Sequence, residues 1–168
     1  ACEAVQWRTE DGGNGHWYAL STDSLGWNDS RDAAQQSGGH LATVTSSEEN
    51  DFIRTCIGVE TQIWLGGFQT GNDEPSGGWS WVTDEVWDYE NWYPGQPDDF
   101  EGIEDCLQLY SDGSEEENKW DDNPEATNKR HLMEWSADCN GDGIIDYGQI
   151  LDGTLLDAAG GVSEANRR

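Results

Sequence analysis

Positive charge is what this chain has least of. Eight Lys and Arg stand against thirty-five Asp and Glu, a formal net charge of -27 over 168 residues. That sign repels phosphate backbones and anionic membrane surfaces alike, so nucleic acid is a poor partner. No run of eighteen apolar residues occurs either, and membrane insertion is not expected. Catalytic signatures are missing too. There is no Cys-x-x-Cys pair and no Gly-x-Ser-x-Gly, and His16, His40 and His131 lack metal-ligand spacing. Carboxylate pairs such as Asp98 and Asp99 arise by chance in so acidic a chain, which weakens a glycoside-hydrolase reading. The expectation is a protein that is not an enzyme.

Low hydropathy and much like charge would by themselves indicate disorder, but ten Trp, five Tyr and three Phe are hard to reconcile with an unfolded chain. The length suits one ordinary domain. Cations are the expected help: crowded carboxylates repel one another less when they share Ca²⁺, a hard ion that takes about six to eight oxygen ligands. Most of the acids simply keep the surface soluble, and only clustered ones merit roles. Four Cys among many Trp and Gly, with little Lys, suggest two extracellular disulfides. The chain opens Ala1, Cys2, Glu3 without a basic, apolar leader, and it reads as secreted with any such leader removed.

Apolar and polar residues alternate around Val5, Trp7, Trp17, Tyr18 and Leu20 with Gly between them, which predicts a hairpin. Ser24 to Ser37 reads as a helix stopped by Gly38 and Gly39. Leu41, Thr43 and Thr45 then form an extended stretch. Ser46, followed by Glu48 and Glu49, is the expected N-cap of a second helix carrying Phe52, Ile53, Cys56 and Ile57. Short strand-like runs follow at Trp64 to Phe68, Trp79 to Val82, Cys106 to Leu109 and His131 to Trp135. Asp84 to Gly102 has no periodicity, and a loop of that length inside a compact domain needs something such as a metal to order it.

Taken in order, Gly38-Gly39-His40-Leu41-Ala42, Glu48-Glu49-Asn50, Ile63-Trp64-Leu65-Gly66-Gly67, Gly78-Trp79-Ser80-Trp81, Asn91-Trp92, Gln96-Pro97-Asp98, Glu104-Asp105-Cys106 and Trp120-Asp121-Asp122 resemble the C-type lectin domain family. The resemblance runs from about Val5 to Trp135. It implies an α+β fold, the C-type lectin-like fold: two helices, small antiparallel sheets and a long loop that carries Ca²⁺ and sugar. Residues 1–137 form that domain, and 138–168 form a short appendage.

In such domains a Pro, normally cis, sits between two side chains that each touch both Ca²⁺ and a sugar hydroxyl. Gln96, Pro97 and Asp98 match that triplet, Glu104 matches the next ligand, and Asp121 and Asp122 match the closing pair, with Asp121 standing in place of the usual Asn. Asp keeps an oxygen ligand but loses an amide donor. The Gln-Pro-Asp order resembles galactose-type members. Phe100 matches the aromatic residue on which they stack the sugar, unless it anchors the loop against Trp92 or Tyr93. An auxiliary Ca²⁺ site is implied at Asp99, Glu104 and Asp105, with Glu74 or Asp73 contributing, although Gln69 stands where an Asp is common. Asp112 and Glu115 to Glu117 read as solvated.

The family's bridge from first helix to last strand is absent, with Ala34 and Met133 near its positions as a pair that could simply pack. Because the chain ends lie together in this fold, Cys2 with Cys139 and Cys56 with Cys106 is the preferred pairing of the three possible. Asp138-Cys139-Asn140-Gly141-Asp142-Gly143-Ile144-Ile145-Asp146 resembles the calcium loop of EF-hand and dockerin-like repeats. Asp138, Asn140, Asp142 and Asp146 are its expected ligands and Ile144 completes the set, though Gln149 replaces the bidentate Glu. The loop suggests a docking or self-association tag, or a metal-stapled clasp. Glycan is the expected partner. The rival reading is a structural or assembly protein whose Ca²⁺ only stiffens loops.

Overall fold

The computed structural model describes residues 4–57, 62–71, 73–110, 118–138 and 145–148. The alternating start forms β1 (Val5–Gln6) and β2 (Trp17–Leu20), an antiparallel pair with Val5 opposite Tyr18, as the pattern predicts. α1 (Trp27–Gln36) begins three residues later than its sequence suggests. Leu25 is already engaged, donating its N–H to Lys129 and accepting one in return at 2.9 and 3.0 Å, and Gly26 caps the helix in extended conformation. At the far end Gly38 sits at φ +82°, and a side chain on Gly39 would drive a Cβ to 2.4 Å from the Glu134 carbonyl. Two glycines are needed there for two different reasons.

Only His40–Leu41 of the next stretch enters the ladder, as β3; Thr43 and Thr45 spend their N–H groups on buried carboxylates. Ser46 caps α2 (Ser47–Phe52) by accepting the Glu49 N–H at 3.2 Å, and the helix widens into a π-turn over Ile53–Ile57. β4 (Ile63–Gln69), β5 (Trp79–Trp81), β6 (Cys106–Tyr110), β7 (Lys119–Asn123) and β8 (Arg130–Trp135) follow. Strand order is β1-β2-β8-β4-β6-β7, with β3 paired to β8 and β5 to β4. The β4–β8 pairing is parallel and the rest are antiparallel. β7 escapes prediction because Lys-Trp-Asp-Asp-Asn has one apolar residue; its place is fixed by backbone pairing to β6.

Two apolar clusters hold these elements. One gathers Leu20, Val44, Ile53, Ile63, Leu65, Trp81, Leu107, Leu109, Trp120 and Leu132; the other packs Trp27, Ala34, Leu41, Trp64 and Cys106 between α1 and the sheet. Fully burying a Leu or Ile contributes on the order of 2 kcal/mol. Met133 packs against the cluster that contains Ala34. Cys106 is a buried free thiol within the same cluster, which corrects the expected Cys56–Cys106 bridge. Cys2 and Cys139 lie outside the described residues.

A polar knot ties β2, α2 and β8 together. Glu134, 1% exposed, takes the Thr43 N–H at 2.9 Å, the Tyr18 hydroxyl at 3.3 Å and His16 Nδ1 at 2.5 Å. Tyr18 also donates to Glu49 at 2.5 Å. Burial foremost, together with the charge of Glu134, pushes the Glu49 carboxyl up. Burial works against the charge on His16, but the hydrogen bond and charge of Glu134, with Glu49 and Glu85 beyond, outweigh it and raise the imidazole above its usual value.

Beyond β8 the chain returns to the sheet. Asp146 donates its N–H to the Ala137 carbonyl at 2.8 Å, and the Tyr147 ring stacks on Trp135 with centroids 4.3 Å apart, its edge toward Trp17. Residues 145–148 therefore lean on β2 and β8, as a piece too small for its own core must.

Candidate functional site

The long segment between β5 and β6 is ordered first by aromatic side chains. Trp87 and Trp92 insert beside Trp79 and Trp120, with centroid separations from 4.9 to 6.3 Å, and Trp81 meets Trp87 at 4.5 Å. Backbone bonds complete the anchor: Tyr93 donates to the Trp120 carbonyl at 2.7 Å, and Trp120 donates to that of Asn91 at 2.8 Å. The loop thus has supports besides any ion.

From this anchor the chain passes through the cis Gln96–Pro97 bond to a cluster of acids. The Asp122 carboxylate on β7, fully buried, accepts the N–H of Asp98 at 3.1 Å and of Asp99 at 2.8 Å. Glu104, 8% exposed, accepts the Phe100 N–H at 2.9 Å, and its own N–H goes to Asp99 Oδ1 at 3.1 Å. Carboxylates and loop backbone therefore hold each other in place. Asp99 and Glu101 adopt left-handed φ of 45° and 63° in the same turn.

Ligand oxygens of Asp98, Glu104 and Asp122 all lie within 4.8 Å of one another, the one such acidic group among the described residues. Burial, and then the charges of Asp122, Asp121 and Asp98, push the Glu104 carboxyl up to about 7 against the pull of the Phe100 N–H. Burial raises Asp122 as well. Gln96 Oε1 is buried without a hydrogen-bond partner. Three crowded carboxylate groups make a hard, all-oxygen donor set.

Asp121 is held differently. Gln108, opposite it in the β6–β7 register, donates Nε2 to Asp121 Oδ2, and burial pushes the Asp121 carboxyl up to about 6 although this bond opposes the shift. Gln108 carried no signal in the sequence, because its role depends on the β7 register. Phe100 is 64% exposed, and no ring contact ties it down among the described residues; Trp92 packs with other Trp rings and Tyr93 with Tyr110. The anchor reading of Phe100 is corrected.

Glu74, Asp99 and Asp105 stand nearby. The Glu74 carboxyl is raised by burial and then by the charges of Asp99, Asp105 and Asp122, and Asp105 by burial and then Asp99 and Glu125. Their oxygens are not drawn into the three-carboxylate group. Gln69 is committed elsewhere, donating to the Pro75 and Gly77 carbonyls. Of the tail ligands, Asp138 and Asp146 are described, whereas Asn140, Asp142 and Ile144 lie outside the described residues, as do Asp112 and Glu115 to Glu117. No helix among the described residues is long and apolar enough to cross a membrane.

Residues 23–134 match the Lectin C-type domain family. The chain is 31% identical over 128 residues to human C-type lectin domain family 10 member A, covering 72% of this chain and 36% of that protein. It is 36% identical over 129 residues to mouse asialoglycoprotein receptor 2, covering 73% and 38%. It thus spans under two fifths of these relatives' own length. Among solved structures, the cow carbohydrate-recognition domain of CD23 superposes with a TM-score of 0.66 at 22% identity, over 83% of this chain and 98% of that one. With the match over residues 23–134 and the fold agreeing, the chain belongs to the C-type lectin domain family.

Proposed function

We propose that this chain is an extracellular, calcium-dependent carbohydrate-binding domain with a galactose-type preference. The observation that carries the reading is the donor set itself. Asp98, Glu104 and Asp122 converge within 4.8 Å, and the Gln96 amide oxygen is buried with no partner. The relatives support it, since members include an asialoglycoprotein receptor and a carbohydrate-recognition domain solved with an oligosaccharide.

Gln96, Asp98, Glu104 and Asp122 would hold Ca²⁺, with Asp121 at the edge. The ion would supply the coordination positions that two adjacent pyranose hydroxyls can occupy. The chain does the rest. Carboxylates of Asp98 and Glu104 accept hydrogen bonds from those hydroxyls, the Gln96 amide donates, and the exposed Phe100 ring offers its face to the apolar side of galactose. Asp99, Glu104 and Asp105, with Glu74 or Asp73 contributing, would serve an auxiliary ion. Residues 138–168 would be a calcium-loop appendage to the domain, in which Asp138, Asn140, Asp142, Ile144 and Asp146 would bind a further Ca²⁺ and which could take a protein partner or another copy of the chain.

One observation favours a second reading. The Asp121 carboxylate is engaged by Gln108 and brings no amide to a sugar, as a loop stiffened by Ca²⁺ for assembly alone would permit. Retention on galactose-agarose separates the two. Retention in Ca²⁺ that EDTA abolishes supports the lectin; a Ca²⁺-induced thermal shift without retention supports the scaffold.

A further inference from the structure

The segment that leads into the candidate site is fastened to β7 at two places. Downstream, the Asp98 and Asp99 N–H groups reach the Asp122 carboxylate, so that hold is part of the acid cluster itself. Upstream, Trp92 pairs with Trp120 as a parallel bridge, and Gln96 donates its N–H to the Tyr93 carbonyl at 2.9 Å. Side chains secure this upper end. Asn91 donates Nδ2 to the Asn118 carbonyl at 2.9 Å and accepts Lys119 Nζ at its Oδ1 at 2.8 Å. From α2, the buried Asn50 makes a matching pair, donating Nδ2 to the same carbonyl at 3.2 Å and accepting the Trp120 indole N–H at 3.0 Å.

Chemistry fixes which end of each amide faces which partner. An indole N–H and an ammonium can only donate, and a carbonyl can only accept. The Asn118 carbonyl therefore receives two amides, one from α2 and one from the loop. Asn118 itself sits at φ +66°, a left-handed conformation that costs energy for a residue with a Cβ and persists where its surroundings fix it. We infer that Asn91 is a positioning residue for the candidate site, acting with Asn50 through the Asn118 carbonyl to hold the approach to Gln96 and Asp98 in its ion-binding path before an ion arrives. The inference rests on the reading of Asp98, Glu104 and Asp122 as Ca²⁺ ligands. The hydrogen bonds of Asn91 go to Asn118, Lys119 and Trp120, not to those ligands. A loop in place for part of the time binds with an affinity reduced by that fraction, so losing the hold weakens Ca²⁺ binding while the filled site keeps its grip on sugar.

Asn91→Asp is the sharpest variant. Nearly the same shape, it keeps an acceptor for Lys119 but sets a carboxylate oxygen where the donor to Asn118 stood. Its added negative charge would by itself tighten a cation, so weaker binding cannot come from charge. Asn91→Ala removes both side-chain bonds with no new charge. In an Asp142→Ala background, calorimetric titration should show the Ca²⁺ Kd of the loop site rising about tenfold in each variant, with the galactose Kd at saturating Ca²⁺ within about twofold of the parent's. Hydrogen exchange in EDTA should show the Tyr93 and Asp98 amides opening about tenfold faster while the amides of β4 and β6 keep their rates, a split that a general loss of stability does not produce. An unchanged Ca²⁺ Kd in either variant, a galactose Kd that worsens in step with it at saturating Ca²⁺, or exchange raised equally in loop and core would overturn the inference. A parent that takes up no Ca²⁺ in this background would overturn the ligand reading, and the inference with it.

Discussion

Asp122→Ala separates the two tasks assigned to one carboxylate, tying down the loop and holding the ion. The side chain is fully buried and accepts the Asp98 and Asp99 N–H groups at 3.1 and 2.8 Å. A hydrogen bond to a charged group contributes about 1.5–3 kcal/mol. Burial and then crowding against Asp98 offset part of that, as the raised Asp122 carboxyl indicates. In EDTA the variant should therefore lose about 2 kcal/mol, a fall in Tm of roughly 4–8 °C for a domain of this size. With Ca²⁺ at about a hundredfold excess over Kd the parent should gain about 2.7 kcal/mol, and the variant should gain nothing from the loop site. Differential scanning calorimetry of both proteins, with Ca²⁺ and with EDTA, reads both effects. Making the comparison in an Asp142→Ala background keeps Ca²⁺ binding by the tail out of the measured shift. Equal Tm values in EDTA, or an undiminished Ca²⁺ shift in the variant, would refute the assignment of Asp122 to both roles.

Gln96→Glu combined with Asp98→Asn should move preference from galactose toward mannose in a glycan-array or competition assay; unchanged selectivity would remove these two side chains as the selecting pair. For His16, whose folded value is raised, the stabilisation is complete below the unfolded value near 6.5 and is lost as pH climbs through the folded value; Glu49, also raised, costs stability as pH rises above about 4.5. Denaturant melts in EDTA should accordingly show stability falling from about pH 5 to 8, and His16→Gln should flatten the upper part of that slope; a parallel profile would contradict it. Tyr147→Ala should cost about 0.5–1.5 kcal/mol and alter Trp emission through loss of the stack on Trp135, with sugar retention intact. Unaltered emission would argue that 145–148 does not dock in solution.

Much of the scaffold is legible because local rules and tertiary structure agree. Ser46 caps a helix, Gly38 takes the left-handed conformation that ends one, and the hairpin pairs Val5 with Tyr18 as alternation suggests. What is not legible depends on partners distant in sequence. β7 owes its place to β6, and with it the Gln108–Asp121 contact. Cys106 invites a disulfide by parity, yet its surroundings are Trp27, Ala34, Leu41 and Trp64. The unperiodic loop invites a metal as its sole organiser, whereas Trp87 and Trp92 and the backbone of Asn91 and Tyr93 also hold it. The His16–Glu134 pair spans 118 positions, and neither residue carries a local signal.

The most direct test of the central claim is calorimetric titration of galactose into the Ca²⁺-saturated chain and into the same chain in EDTA. Saturable heat in Ca²⁺, absent in EDTA and weaker for mannose, is the result this account predicts. Equal binding in both buffers, or Ca²⁺ uptake with no response to galactose, would contradict it.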